Sequence, residues 1–162
     1  MKSLFTRLSA TVAIAAAALL AVPFGANAQL VRNTPDATAY NYIGIAGSDD
    51  GLAVNSKFSL YNNISIRPEV ATDFDFDDAE DVTYLVPVTY DFAVGGGRAT
   101  FNPFVGAGVA GSIGDDSDVE FALVAGTDYR FAGNYVANAS VNYAPFADDD
   151  EVGFTAGVGY QF

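Results

Sequence analysis

The chain has 162 residues, 51% of them hydrophobic, and its 20 acidic against 7 basic side chains give a formal net charge of −13. That balance speaks against a nucleic-acid partner, because phosphate binding needs clustered Lys and Arg. His and Cys are both absent, which removes disulfides, thiolate metal sites, the commonest transition-metal ligand and the usual general base of serine-type hydrolases.

Residues 1–28 read as a secretory signal peptide. Lys2 and Arg7 form a positive n-region, and an apolar, Ala-rich run follows from Leu8 to Val22. Pro23 and Gly25 break that run just before Ala26 and Ala28, an A-x-A site that predicts cleavage between Ala28 and Gln29. The run is shorter than the ~20 residues a spanning helix needs. Residues 29–38, "QLVRNTPDAT", are polar and predict a flexible lead-in. Residues 39–162 then form one domain.

In that domain, period-2 alternation recurs at regular spacing between Gly, Asn and Asp clusters, and no helical period is sustained. The pattern predicts strands over 39–47, 52–61, 64–76, 82–92, 100–113, 119–131, 135–145 and 151–162. Several are longer than a soluble strand usually is, and about ten tilted residues suffice to cross a bilayer. An even number of long strands joined as antiparallel hairpins predicts an all-β fold, an eight-stranded antiparallel up-and-down transmembrane β-barrel.

Side-chain direction says which face meets what. In the third strand Ile64, Ile66, Pro68, Val70, Thr72, Phe74 and Phe76 share one face, and Ser65, Arg67, Glu69, Ala71, Asp73 and Asp75 share the other. Over all eight strands the charged residues are Lys57, Arg67, Glu69, Asp73, Asp75, Asp91, Glu120, Asp128, Arg130 and Glu151. Each falls on the polar face. Most aromatics lie on the apolar face, a load that the narrow interior of an eight-stranded barrel cannot hold. The apolar face is therefore expected to meet lipid, and a two-sheet sandwich is the alternative that could bury it.

Aromatic position predicts two interfacial girdles. Tyr40, Tyr42, Tyr61, Tyr90, Phe92, Phe101, Phe104, Tyr129, Phe131, Tyr135, Tyr160 and Phe162 gather at one end, and Phe74, Phe76, Tyr84, Phe121, Tyr143 and Phe154 at the other. The acidic runs at Asp49–Asp50 and at residues 77–81, 115–118 and 148–150 all fall in connections of the second end. With strand one leaving the periplasm, that acidic end faces outward and both termini are periplasmic.

The segments "NPFVGAGVAG" at 102–111, "SIRPEV" at 65–70 and the terminal "VGYQF" resemble the small eight-stranded outer-membrane barrels, the family of the outer membrane protein A transmembrane domain and its X- and W-type relatives. The resemblance covers the whole chain after the signal peptide. It implies a monomer in the outer membrane of a diderm bacterium, with outer-membrane lipid and the barrel-assembly machinery as partners. It also implies that Phe154, Val158, Tyr160 and Phe162 form the C-terminal signal which that machinery reads. The outer connections are shorter here than the surface loops with which family members act as receptors or adhesins.

Charges facing a narrow lumen are expected in pairs, since an unpaired buried charge is costly. A three-residue turn at 62–64 would set Lys57 opposite Glu69, and pairing Phe76 with Val82 would set Arg67 opposite Asp91; Asp128 and Arg130 can join the same network. One reading is a plug that stiffens the barrel and serves a structural, envelope-stabilising role. The other is a narrow pore for water or small ions, with Gly106, Gly108, Gly157 and Gly159 leaving room. A third reading is surface interaction through the acidic loops, which are also expected to attract divalent cations weakly; no stretch has EF-hand spacing. No catalytic, cofactor or metal site is expected, and nothing in the spacing singles out a carboxylate pair for catalysis.

Overall fold

The structure, a computed structural model, describes residues 38–72, 82–94, 100–113, 119–146 and 151–162. Those residues form nine strand segments: β1 (Tyr42–Ser48), β2 (Gly51–Tyr61), β3 (Ile64–Ile66), β4 (Glu69–Thr72), β5 (Val82–Asp91), β6 (Thr100–Ile113), β7 (Val119–Phe131), β8 (Tyr135–Ala144) and β9 (Glu151–Gln161). Both β3 and β4 lie between β2 and β5, so they are two halves of one stave. Eight staves result, each antiparallel to its neighbours. The ring closes through β1, where Tyr42 faces Lys57 of β2 on one side and Gln161 of β9 on the other. Closure leaves no open edge, which a bilayer requires because nothing in hydrocarbon can satisfy free N–H and C=O groups.

The expected third strand, 64–76, is interrupted at Arg67–Pro68. Proline has no N–H to give to a ladder. The register does not slip there, since Ser56 N–H still donates to Pro68 O (3.0 Å) and Arg67 N–H to Pro87 O (3.0 Å). The far part of that strand, with Phe74 and Phe76, lies outside the described residues. So do the expected signal peptide with its Ala28–Gln29 junction, most of the lead-in, and the acidic runs at 77–81, 115–118 and 148–150.

The register between β2 and the third stave also differs from the expected one. The turn has two residues, Asn62 and Asn63, with Asn62 in the left-handed region (φ 48°). A bulge between Ser59 and Tyr61 then shifts the ladder by one more residue. As a result Asn55, not Lys57, stands opposite Glu69. On the other side Thr72, not Phe76, pairs with Val82, which carries Arg67 past Pro87 rather than Asp91.

The barrel is inside-out relative to a soluble one. Along β1, Tyr42, Gly44 and Ala46 are buried inside, while Ile43 and Ile45 point outward, Ile45 with 65% of its surface free. Val105, Val109, Phe121, Leu123, Val141, Phe154 and Val158 are likewise exposed. The completely buried side chains include Lys57, Asp91, Asn102 and Asp128. Apolar groups outside and charges inside are what a bilayer selects, since water would select the reverse.

Candidate functional site: the charged lumen

At the end that carries Phe162, here the proximal end, the lumen holds a four-charge cluster built from four staves. Lys57 comes from β2, Arg67 from the break between β3 and β4, Asp91 from the end of β5 and Asp128 from β7. Lys57 Nζ lies 3.0 Å from Asp91 Oδ2, and Arg67 Nη2 lies 2.9 Å from both Asp91 Oδ1 and Asp128 Oδ2. Arg67 Nη1 adds a bond to Asp128 Oδ1 (3.2 Å), and Arg67 Nε donates to Thr89 Oγ1 (3.0 Å). Ser65 and Thr89 hydroxyls also donate to Asp91. Two cations face two carboxylates, so the cluster is neutral and its members are heavily bonded. Both conditions are needed for charge to survive away from water.

Aromatic rings complete the cluster from inside. Tyr40 and Tyr42 hydroxyls donate to Asp128, the Tyr40 ring lies 3.5 Å beneath Lys57 Nζ, and the Phe104 ring lies 3.6 Å from Arg67 Cζ. Cations desolvated over ring faces gain from the ring quadrupole. These three rings correct the expected girdle, which placed them at the lipid interface. Pleat parity puts Tyr42 with Gly44 and Ala46, and Phe104 with Asn102 and Gly106, on the luminal side. The remaining proximal aromatics do face out, and Tyr129, Phe131, Tyr135 and Tyr160 touch in series with centroids about 6 Å apart.

Two of the candidate residues stand apart from the cluster. Glu69 accepts a bond from Thr155 Oγ1 (2.6 Å), nearer the distal end. Arg130 lies against the Tyr40 ring, its Cζ 4.6 Å from the centroid, and its Nε has no hydrogen-bond partner. At the distal end a cavity of about 210 Å³ opens between Asp49, Asp50, Glu69, Glu120, Asn142 and Thr155. No group of three or more acidic side chains among the described residues is arranged to hold a metal ion.

The luminal glycines leave less room than expected. A methyl on Gly159 would stand 2.7 Å from Tyr42 Cδ2, and one on Gly106 would stand 2.7 Å from Thr89 Cγ2. At Gly157 it would meet Ala46 Cβ at 2.6 Å, and at Gly108 the backbone of Val86 and Pro87. Their space is already filled by neighbours. Gly126, unremarked in the sequence, does the same for Phe104.

At the closing strand, Phe154, Val158, Tyr160 and Phe162 all project outward and are exposed. Phe162 N–H donates to Asn41 O (3.1 Å), and its ring meets Phe58 edge-on at 6.5 Å.

No family model matches the chain, and no curated protein matches it in sequence. Solved structures do match. The N-terminal β-barrel domain of Pseudomonas aeruginosa OprF is similar over 77% of this chain and 98% of its own, with a TM-score of 0.58 and 19% identity. The likeness is one of fold. A de novo designed transmembrane β-barrel is similar almost as well, with a TM-score of 0.57 over 76% of this chain and 96% of its own at 12% identity. The designed barrel TMB2.3 follows at 0.50, covering 80% and 98% at 14% identity. A natural and a designed barrel share this fold, so the fold alone assigns no role. The chain has the closed eight-stranded antiparallel fold of transmembrane barrels.

Proposed function

We propose that the protein is an integral outer-membrane barrel with a structural, envelope-stabilising role, its lumen closed by the charge cluster. The carrying observation is the cluster itself. Lys57, Asp91 and Asp128 are fully buried, mutually neutralised and roofed by Tyr42 and Phe104, and the luminal glycines are packed against neighbours. The pore reading has no comparable support, because eight strands enclose only enough space for side chains. The chain carries no His and no Cys, and the carboxylates of Asp91 and Asp128 are engaged by cations and hydroxyls, so the reading is non-enzymatic.

In this reading the distal end with Asp49 and Asp50 faces outward and the proximal end faces the periplasm. The outward row Phe154, Val158, Tyr160 and Phe162 is the surface offered first to the assembly machinery and then to lipid. Refolding into detergent followed by planar-bilayer recording tests the reading. The expected result is a heat-modifiable gel band and an electrically silent bilayer. A protein that stays soluble without detergent would overturn membrane insertion, and reproducible unitary steps would overturn closure.

A further inference from the structure

The lumen is not filled evenly along its length. Below the distal cavity, Asn55 Nδ2 donates to Asn138 Oδ1 (2.7 Å), while Asn55 Oδ1 and Asn138 Nδ2 have no partner. The two residues keep only 5% and 8% of their surface free. Buried amide atoms in that position are sites for water. A polar line therefore runs from the distal cavity past Asn55 and Asn138 to Arg67, Asp91 and Asp128.

What ends that line is not supplied by a strand. Thr38 and Tyr40 precede β1, and both are buried inside the proximal end. The Thr38 carbonyl accepts a bond from Lys57 Nζ (2.9 Å). The Tyr40 ring contacts both Lys57 and Arg130, at 3.5 and 4.6 Å from its centroid, and stacks on Tyr42 at 6.4 Å. Its hydroxyl donates to Asp128. Tyr40 N–H bonds to Thr38's own carbonyl (3.1 Å) rather than to a neighbouring stave. The segment is thus anchored by side chains that also belong to the charge cluster, and its withdrawal takes a partner from Lys57, Arg130 and Asp128 at once.

We propose that Thr38–Tyr40 is a stopper that closes the proximal end of a hydrated polar canal, and that its withdrawal turns the barrel into a narrow path for small cations. Cations are the expected class because Asp49, Asp50, Glu69 and Glu120 line the distal entrance, and carboxylate-lined entrances raise local cation concentration. The inference rests on the reading of a membrane barrel closed by the charge cluster and adds that the cluster closes the proximal end only together with Thr38–Tyr40, which is bonded to Lys57 and Asp128.

The test records planar-bilayer conductance of the refolded wild type, Tyr40→Phe and Tyr40→Ala in potassium chloride. Wild type and Tyr40→Phe, which keeps the ring, are expected to be silent, and Tyr40→Ala is expected to give unitary, cation-selective steps. A Tyr40→Ala barrel that folds, keeps its heat-modifiable band and stays silent would overturn the stopper while leaving closure intact. Steps already present in the wild type would overturn closure, and the stopper falls with it if Tyr40→Ala leaves their size and frequency unchanged. Should Tyr40→Ala fail to fold, Thr38→Cys decides, on a chain with no other cysteine. A thiol reagent is expected to label it at least about tenfold more slowly than an exposed cysteine, because only an opened segment reacts. Labelling at the free rate would overturn the proposal.

Discussion

Arg67 grips Asp128 with both terminal nitrogens, Nη1 on Oδ1 at 3.2 Å and Nη2 on Oδ2 at 2.9 Å, across 61 residues of sequence. The same Nη2 also holds Asp91 at 2.9 Å. One guanidinium therefore ties the broken third stave to β5 and β7. A lysine could not replace it, because a point charge lacks the planar fork.

Asp128→Asn is isosteric and leaves one more positive than negative charge in the buried cluster. Removing one partner of a buried pair costs about 3–5 kcal/mol, and the Tyr40 and Tyr42 hydroxyls will not recover it. Urea unfolding in detergent micelles, followed by the heat-modifiable band, is expected to show a loss of about 3 kcal/mol. The double variant Arg67→Met with Asp128→Leu should lose less than the sum of the singles, since neither charge is then left alone.

The alternation that places Lys57, Arg67, Asp91 and Asp128 on one face was legible in the sequence because a charge cannot point at lipid, so each strand declares its inward side. Tyr40, Tyr42 and Phe104 were misplaced for a different reason. A ring at a strand end suits an interface by residue type, and only pleat parity, counted from Asn102 or Gly44, places it inside. The registers were not legible at all. A two-residue turn followed by a bulge differs from a three-residue turn by where Asn62 and Tyr61 lie in space, and no residue type announces that. Arg67 still meets Asp91 because its side chain is long enough to span the offset.

The luminal glycines are spaces already spent on neighbours. Gly126→Ala would drive a methyl into the Phe104 ring and to 2.8 Å from Ser140 Cβ, displacing the ring that lies under Arg67. Overpacking of this kind costs about 1–3 kcal/mol, and the same urea series should show it. Gly47→Ala is the control. Gly47 is exposed, and a methyl there meets nothing within 4 Å, so stability should change by no more than about 0.5 kcal/mol.

Ser56 and Pro68 occupy a hydrogen-bonded pair with one bond missing: Ser56 N–H donates to Pro68 O, but Pro68 has no N–H to return. Pro68→Val restores that donor without changing the register, which is already in phase on both sides of the break. A net backbone bond contributes about 1 kcal/mol, so the variant should unfold at higher urea. Protection of the new residue-68 N–H from exchange would locate the gain. No gain in stability would mean that the break, rather than the missing donor, is what positions Arg67.

Deleting Phe162 is expected to separate assembly from stability. Its contributions to the folded barrel include the N–H bond to Asn41 O and the edge contact with Phe58, worth about 1–2 kcal/mol together. Deleting it should therefore lower the urea midpoint only modestly after refolding in detergent. In a diderm host, membrane-inserted protein should fall several-fold, because under the proposed role the machinery reads the outward row that ends at this ring. Equal losses in the two assays would reduce Phe162 to a packing residue. A folded deletion variant that inserts at the wild-type level would remove the signal role altogether.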